Sequence, residues 1–328
     1  MKEKPKVFLT RTIAEAAMQQ LSQEVDLEVW EGENPPPHEI LLARAAQLDG
    51  ILTLLTDPID LPVLEAFAKK GKVISQMSVG FDNIDIVSAT RLGIPVGHTP
   101  GVLTETTADF AWALIMAASR RIVEANQEVH RGIWRHWGPD ILLGLELTGA
   151  TLGIIGLGRI GQAVARRASG FNMRVLYHNP TRRPDLEKSL GVKFAELDDL
   201  LARSDIVTIH AYLSKDTRHL FGRENFVKMK PQAILINTAR GQIVNPEDLL
   251  WALQEKKIGA AGLDVFDPEP IPVNHPLLNM PNVIITPHIA SATTQTRVRM
   301  AFMAVENLLA GLHGERLPYC ANPQVYTK

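Results

Sequence analysis

The sequence has little of several features that mark particular classes of protein. Its 328 residues include one cysteine, Cys320, which excludes an internal disulfide framework and a cysteine-rich zinc module. Lysine and arginine number 34 against 36 acidic residues, so no excess positive charge favours nucleic acid. The longest apolar run, 110–118, is far shorter than the roughly 20 residues of a membrane helix. We therefore expect a cytoplasmic globular protein with no metal, nucleic acid or membrane partner.

Short runs rich in β-branched residues alternate with helix-length segments, which predicts βαβ units, parallel sheets and an α/β protein. The candidate strands lie at 7–9, 27–30, 51–54, 73–76, 95–97, 151–155, 174–177, 206–209, 233–237, 260–264 and 283–286. One uninterrupted helix is predicted over 104–129, where no Pro or Gly occurs. Further helices are predicted over 162–169 and 293–309.

An irregular segment with Trp134 and Trp137 separates the two series of strands. The pattern predicts one α/β domain over about 1–100 and a second over about 101–289. The C-terminal helix after them could return to the first domain.

A glycine-rich motif follows the strand predicted at 151–155. Residues 156–161 read G-L-G-R-I-G, with a helix and a second strand after them. Gly156 permits a tight turn, Gly158 lets the backbone approach a pyrophosphate, and Gly161 lets the helix pack closely on the strand. The helix start would offer N–H groups and its positive dipole end to phosphates. A turn without a ligand is the alternative, but this context favours a dinucleotide site.

The end of the next strand bears on which dinucleotide binds. An NAD site usually has Asp or Glu there to hold the ribose 2′-hydroxyl, whereas Asn179 occupies the position here. Arg182 and Arg183 follow and could pair with a 2′-phosphate, although both could be solvated loop residues. The sequence therefore favours NADP(H), with NAD(H) possible.

Three ionisable residues follow consecutive predicted strands. Arg240, Glu269 and His288 come after the strands at 233–237, 260–264 and 283–286. Parallel strands would bring all three to the edge that carries the glycine motif. The histidine could exchange a proton with a substrate oxygen, the carboxylate could stabilise the imidazolium, and the arginine could bind a substrate carboxylate. Each alone could be an ordinary surface residue, but together they favour an active site.

With the glycine motif, these segments resemble the D-isomer-specific 2-hydroxyacid dehydrogenase family. The matching stretches are 78–85 (SVGFDNID), 237–241 (NTARG), 262–266 (GLDVF), 268–270 (PEP) and 286–289 (TPHI). Within the family the chain is most similar to glyoxylate/hydroxypyruvate reductases, through 76–80, 134–137, 274–278 and 307–311.

The resemblance implies two Rossmann-like, doubly wound parallel-sheet domains with a cleft between them. Residues 1–100 and 290–328 would form a discontinuous substrate-binding domain, and 101–289 would form the NAD(P)-binding domain. Family members are typically homodimers, so the helix over 104–129 and the tryptophan segment are the expected dimer surface.

The resemblance also implies residue roles. Arg240, Glu269 and His288 would be catalytic. The substrate would be bound by Leu55, Val79, Gly80, Arg240 and Trp137, the last from a partner subunit. The cofactor would contact Thr107, Gly156, Gly158, Arg159, Ile160, Gly161, Asn179, Arg182, Arg183, Ala211, Thr238, Ala239, Asp264, His288 and Ala290.

The function predicted from the sequence is NAD(P)H-dependent reduction of short 2-oxo acids, glyoxylate or hydroxypyruvate, to 2-hydroxy acids. One alternative is a dehydrogenase for another D-2-hydroxy acid, such as a lactate-like substrate. Another is a cofactor-sensing, corepressor-like binding protein, because such relatives keep the same catalytic residues.

Overall fold

The computed structural model describes residues 3–327. The strands are β1 (Lys6–Leu9), β2 (Asp26–Val29), β3 (Gly50–Thr53), β4 (Val73–Gln76), β5 (Val96–Gly97), β6 (Thr151–Ile155), β7 (Arg174–His178), β8 (Lys193–Phe194), β9 (Ile206–Ile209), β10 (Ile234–Asn237), β11 (Ala260–Leu263) and β12 (Val283–Ile285). The α-helices are α1 (Glu15–Glu24), α2 (His38–Ala45), α3 (Leu61–Phe67), α4 (Ile86–Arg91), α5 (Thr104–Ser119), α6 (Ile122–His130), α7 (Arg159–Ala168), α8 (Pro184–Leu190), α9 (Leu197–Arg203), α10 (Arg223–Phe226), α11 (Pro246–Gln254) and α12 (Thr294–Leu312).

The chain forms two compact units. One comprises the residues up to Leu103 together with those from Ala292 onward, and the other is Thr104–Ser291. The first contains a five-stranded parallel sheet in the order β2-β1-β3-β4-β5. The second contains a seven-stranded parallel sheet in the order β12-β11-β10-β9-β6-β7-β8. The predicted α/β class with two doubly wound parallel sheets is confirmed.

Both faces of the first sheet are buried. Successive side chains along a strand point to opposite faces, so each strand contributes to two cores. Along β1, Val7 and Leu9 pack into one core and Phe8 packs into the other. The first core also contains α1 and the inner face of α12, and Ser75 donates a 2.7 Å hydrogen bond to the Ala304 carbonyl of that helix. The chain therefore returns to this unit to cover one face of its sheet.

The second sheet is also covered on both faces. Leu152 and Ile154 of β6 face a core built with α5 and α7, whereas Ile155 faces a core built with α9 and α11. All four residues of β9 are buried, as expected for a central strand of a parallel sheet. This packing holds the carboxyl ends of the strands in a fixed order.

The single helix predicted over 104–129 is wrong, because α5 ends at Ser119 and α6 begins at Ile122. Arg121, between them, has a left-handed φ of 52°. The Ser119 carbonyl accepts a 2.7 Å hydrogen bond from the Leu145 N–H, so an irregular segment far along the chain takes an acceptor that a continuous helix would use. Arg121 also pairs with Glu124 at 2.7 Å in the new first turn.

Other element boundaries differ by smaller amounts. The helix after the glycine motif begins at Arg159 rather than 162, and α12 extends to Leu312 rather than 309. β8 is not predicted from the sequence, because its two residues are too few to show a periodic pattern. Among the helices described, none combines the length and apolar character that crossing a membrane demands.

Candidate active site

The register of the second sheet aligns the ends of five strands. Cα pairing joins Ile155 to Ile209, Ile209 to Asn237, Asn237 to Leu263, and Leu263 to Ile285. The loops that leave these strands therefore begin along one edge of the sheet. They carry the glycine motif and the predicted Arg240, Glu269 and His288.

The glycine motif forms a strand–turn–helix loop. Gly156 has a φ of +94°, and a Cβ there would lie 2.7 Å from the backbone nitrogen of Ala211. A Cβ on Gly161 would lie 2.2 Å from the Gly156 carbonyl oxygen, so the start of α7 packs directly on the turn. These contacts show why two of the three positions require glycine.

The remaining positions of the loop leave room for a ligand. A Cβ on Gly158 would meet no described atom within 4 Å. Arg159 and Ile160 begin α7, and its N-cap residue, Gly158, has no side chain to cap the helix start. Its first N–H groups and positive dipole end are therefore suited to a pyrophosphate, and the loop fits a dinucleotide.

Asn179 lies against this loop. Its Oδ1 accepts a 2.7 Å hydrogen bond from the Leu157 N–H, inside the glycine motif. Arg182 and Arg183 follow it, and each pairs with a carboxylate, Glu187 and Asp185 respectively. The two arginines therefore follow Asn179 as predicted, but each already forms an ion pair with a nearby carboxylate.

Other predicted cofactor residues line the same edge or the helix behind it. Thr107 is buried on α5, and Ala211 contacts the turn at Gly156. Thr238 and Ala239 follow β10, and the buried Thr238 Oγ1 has no hydrogen-bond partner among the described residues. An unpaired buried hydroxyl at this edge is consistent with a site for a polar ligand.

Arg240 sits in a turn that Asn237 organises. The Asn237 side chain accepts from the Ala239 N–H at 3.0 Å and donates to the Arg240 carbonyl at 2.8 Å. At the next residue, Gly241, a Cβ would lie 1.9 Å from the Phe266 carbonyl carbon. The loop that carries Arg240 therefore packs directly on the loop that leads to Glu269.

Glu269 and His288 are in direct contact. The His288 Nδ1 lies 2.5 Å from the Glu269 Oε1, and the other carboxylate oxygen accepts from the Phe266 N–H at 3.3 Å. Both side chains are partly exposed. With Nδ1 on the carboxylate, Nε2 is the ring atom that can meet a substrate oxygen.

Asp264 positions the backbone on both sides of His288. The His288 N–H donates to the Asp264 carbonyl at 3.0 Å, and the Asp264 carboxylate accepts from the Ile289 and Ala290 N–H groups at 2.8 Å each. The carboxylate also accepts from Thr286 Oγ1 at 2.7 Å. Asp264, predicted from the family as a cofactor contact, is fully buried and organises this turn.

Leu55, Val79 and Gly80 lie in the first unit, after β3 and β4. The buried Gln76 side chain donates to the Gly80 carbonyl at 2.7 Å and exchanges two hydrogen bonds with the Asn83 amide. Asn83 also donates to the Asp57 carbonyl at 2.7 Å, just beyond Leu55. This amide pair connects the two loops. The pair is not predicted from the sequence, although both residues lie in the family-like stretches 76–80 and 78–85.

Trp137 belongs to an exposed apolar surface of the second unit. This surface, the tryptophan surface, comprises Val129, Ile133, Trp134, Trp137 and Ile141. Trp137 is 81% exposed, and with Val129, Trp134 and Ile141 it lines a cavity of about 280 Å³. Clustered apolar exposure of this kind is typical of a protein interface.

The glycine loop and the ionisable residues on the same sheet edge define a dinucleotide-dependent oxidoreductase. Residues 112–290 match the sequence model described as "D-isomer specific 2-hydroxyacid dehydrogenase, NAD binding domain". The chain belongs to the D-isomer specific 2-hydroxyacid dehydrogenase family and is an oxidoreductase that uses a nicotinamide cofactor.

Individual relatives match over nearly their whole length. The chain is 50% identical over 323 residues to a glyoxylate reductase of Korarchaeum cryptofilum, covering 98% of this chain and 97% of the relative. A glyoxylate reductase structure from Paecilomyes thermophila is 32% identical, with a TM-score of 0.87 over 99% of this chain and 100% of that one. An NADPH-dependent glyoxylate/hydroxypyruvate reductase from Sinorhizobium meliloti, solved with NADP and malonate, is 30% identical, with a TM-score of 0.87 over 98% of each chain.

Proposed function

We propose that this enzyme reduces short 2-oxo acids, glyoxylate and hydroxypyruvate, to the corresponding 2-hydroxy acids, with NADP(H) preferred and NAD(H) accepted. The observation that carries the proposal is the 2.5 Å contact between His288 and Glu269 on the edge that bears the glycine loop. The names of the relatives support the substrate class.

The second unit would hold the cofactor. Its pyrophosphate would bind at Gly156, Gly158, Arg159, Ile160 and Gly161, and its adenosine ribose near Asn179, Arg182 and Arg183. Ala211, Thr238, Ala239, Ala290, Thr107 and Asp264 would complete the site. When bound, a reduced nicotinamide supplies a hydride to the carbonyl carbon of the substrate.

His288 would supply the proton. In the protonated imidazole both ring nitrogens donate, Nδ1 to Glu269 and Nε2 to the substrate oxygen. The Glu269 carboxylate stabilises the positive charge until the proton leaves from Nε2, and it fixes the direction of the ring. In the reverse reaction His288 accepts the proton from the hydroxyl group.

Arg240 would bind the substrate carboxylate and polarise the carbonyl group, since a guanidinium presents several donors in one plane. The first unit would act as the substrate-binding domain, with the Val79 and Gly80 N–H groups on the substrate carboxylate and Leu55 beside it. The Gln76–Asn83 amide pair would hold these loops in place.

The enzyme would act as a homodimer through the tryptophan surface, and Trp137 of one subunit would border the substrate site of the other. Burial of several large apolar side chains would favour such a dimer. Analytical ultracentrifugation tests this assembly: Trp137→Ala should weaken the dimer and raise the KM for substrate.

The experiment that tests the function is a steady-state assay with glyoxylate, hydroxypyruvate and pyruvate, each with NADPH and with NADH. We expect fast turnover of the first two acids, faster with NADPH. His288→Ala should lower kcat by about 10²–10⁴-fold while cofactor affinity stays unchanged. No turnover with any pair, despite tight cofactor binding, would favour the cofactor-sensing alternative.

A further inference from the structure

Arg182 is engaged by an internal carboxylate. Its Nε and Nη2 groups each donate a 2.7 Å hydrogen bond to a different oxygen of Glu187, at the far end of the loop and in α8. This two-point geometry is the one in which a guanidinium also binds a phosphate group. Glu187 therefore occupies donors that a 2′-phosphate would use.

Glu187 is itself held in place from the sheet. The Tyr177 ring is buried in β7, and its hydroxyl donates to Glu187 Oε1 at 2.9 Å while accepting from the Arg183 N–H at 2.7 Å. The hydrogen bonds from Arg182, aided by Tyr177, lower the pKa of Glu187 to about 2. Glu187 is therefore a fixed anion at every pH at which the enzyme would be assayed.

The neighbouring pair has the same charges but a looser carboxylate. Arg183 donates to Asp185 at 3.2 and 2.9 Å, and the Asp185 side chain is 61% exposed against 17% for Glu187. Asp185 can turn into solvent when another anion approaches, whereas Glu187 is anchored by a buried tyrosine. The two arginines and two carboxylates together leave this loop without net charge.

We propose that Glu187 sets the NADPH:NADH selectivity by competing with the 2′-phosphate of NADP(H) for Arg182, so that both cofactors are accepted. The inference rests on the proposed function, because it requires a dinucleotide with its adenosine ribose beside Asn179. A phosphate monoester brings a charge of about −1.5 to −2 at pH 7, which the fixed carboxylate repels. NADH lacks the 2′-phosphate, so its affinity should depend much less on this charge.

The test is Glu187→Gln, with Kd for NADPH and NADH measured by nicotinamide fluorescence. Glutamine keeps the size and can still accept from Tyr177, but it removes the charge. We expect the Kd for NADPH to fall about three- to tenfold and the Kd for NADH to change less than twofold. The unchanged NADH affinity also shows that the variant is folded.

Asp199→Asn is the matched control. Asp199 forms an exposed 2.7 Å pair with Arg203 in α9 of the same unit, so its replacement removes the same charge elsewhere. We expect its NADPH:NADH affinity ratio to equal that of the wild type. If the NADPH:NADH affinity ratio rose equally in Glu187→Gln and Asp199→Asn, the proposal would be overturned, since the effect would then be one of net charge.

Two further results would also overturn it. Weaker NADPH binding in Glu187→Gln would show that Glu187 positions Arg182 to bind the phosphate. An unchanged NADPH:NADH affinity ratio would show that Glu187 plays no part in selectivity. Tyr177→Phe is a second variant: it releases the anchor of Glu187 and should shift the ratio in the same direction by a smaller factor. Wild-type protein that binds neither cofactor would instead contradict the proposed function itself.

Discussion

Asp264 holds His288 through the main chain: the His288 N–H donates to the Asp264 carbonyl at 3.0 Å, and the Asp264 carboxylate accepts the next two N–H groups. His288 has a left-handed φ of 55°, a conformation that is unfavourable for a residue with a side chain. Such strain costs of order 1–3 kcal/mol and persists only where neighbouring contacts impose it. The direction of the imidazole therefore depends on a carboxylate in the core.

Asp264→Asn should impair both stability and turnover. An amide NH₂ cannot accept a hydrogen bond, so at least one donor among Thr286, Ile289 and Ala290 loses its acceptor. We expect the free energy of unfolding to fall by about 1–3 kcal/mol and kcat to fall at least about tenfold. Urea titration and steady-state kinetics measure the two effects. Thr286→Val, which removes only one donor, should lower the free energy of unfolding and kcat by smaller amounts. A wild-type kcat in Asp264→Asn would contradict this account.

Gly156→Ala and Gly158→Ala form a matched pair with different expected effects. A methyl group at Gly156 meets the backbone of His210 and Ala211 at a positive φ, so the first variant should be destabilised by several kcal/mol. A methyl group at Gly158 meets open space, so the second should unfold like the wild type but bind NADPH more weakly. Thermal denaturation and NADPH titration distinguish these cases. Equal stability of the two variants would refute the packing argument.

Gln76→Glu tests the amide pair in the first unit. A carboxylate cannot donate to the Gly80 carbonyl or to Asn83, so the loop after β4 loses two hydrogen bonds. We expect the KM for the 2-oxo acid to rise about tenfold, which corresponds to ~1.4 kcal/mol, while the Kd for NADPH stays unchanged. Thr53→Val removes the hydrogen bond from the Thr53 hydroxyl group to the Gln76 side-chain oxygen and should raise KM by a smaller factor. A change in cofactor affinity instead of KM would contradict the assignment.

His210 should make stability depend on pH. Burial lowers its pKa from 6.5 to about 3, so the folded protein keeps the imidazole neutral where the unfolded chain binds a proton. Since the unfolded state then holds more protons, the free energy of unfolding should fall as pH falls from about 6.5 towards 3. Denaturant titration between pH 4 and 7 measures the slope, which should be shallower in His210→Gln. An identical slope in that variant would assign the pH dependence to other groups.

The sequence alone predicts the features of the fold and the candidate site that follow from parallel strands and from local motifs. Arg240, Glu269 and His288 follow consecutive strands, and parallel strands end on one edge, so their shared location needed no long-range contact. The glycine motif was recognisable because the turn itself requires residues without a Cβ. The confirmed α/β class followed from the alternation of short apolar runs and helical segments.

Features that depend on distant partners could not be predicted in this way. The break after Ser119 depends on the Leu145 N–H, and no local pattern at Ser119 reports that contact. The pairing of Arg182 with Glu187 depends on how α8 packs on Tyr177, and the amide pair depends on which buried side chains meet. In each case the residue type was visible, but its partner was decided by packing.

The course of α12 has a consequence for synthesis of the protein on the ribosome. One face of the first sheet is covered by residues such as Met300, Ala304 and Leu308, which are made after the second unit. The second unit, Thr104–Ser291, is complete before they emerge. Although domains generally fold from the N-terminus as synthesis proceeds, here the inserted unit can acquire its core first. Until α12 emerges, that face of the amino-terminal sheet is covered by α1 but lacks the residues of α12.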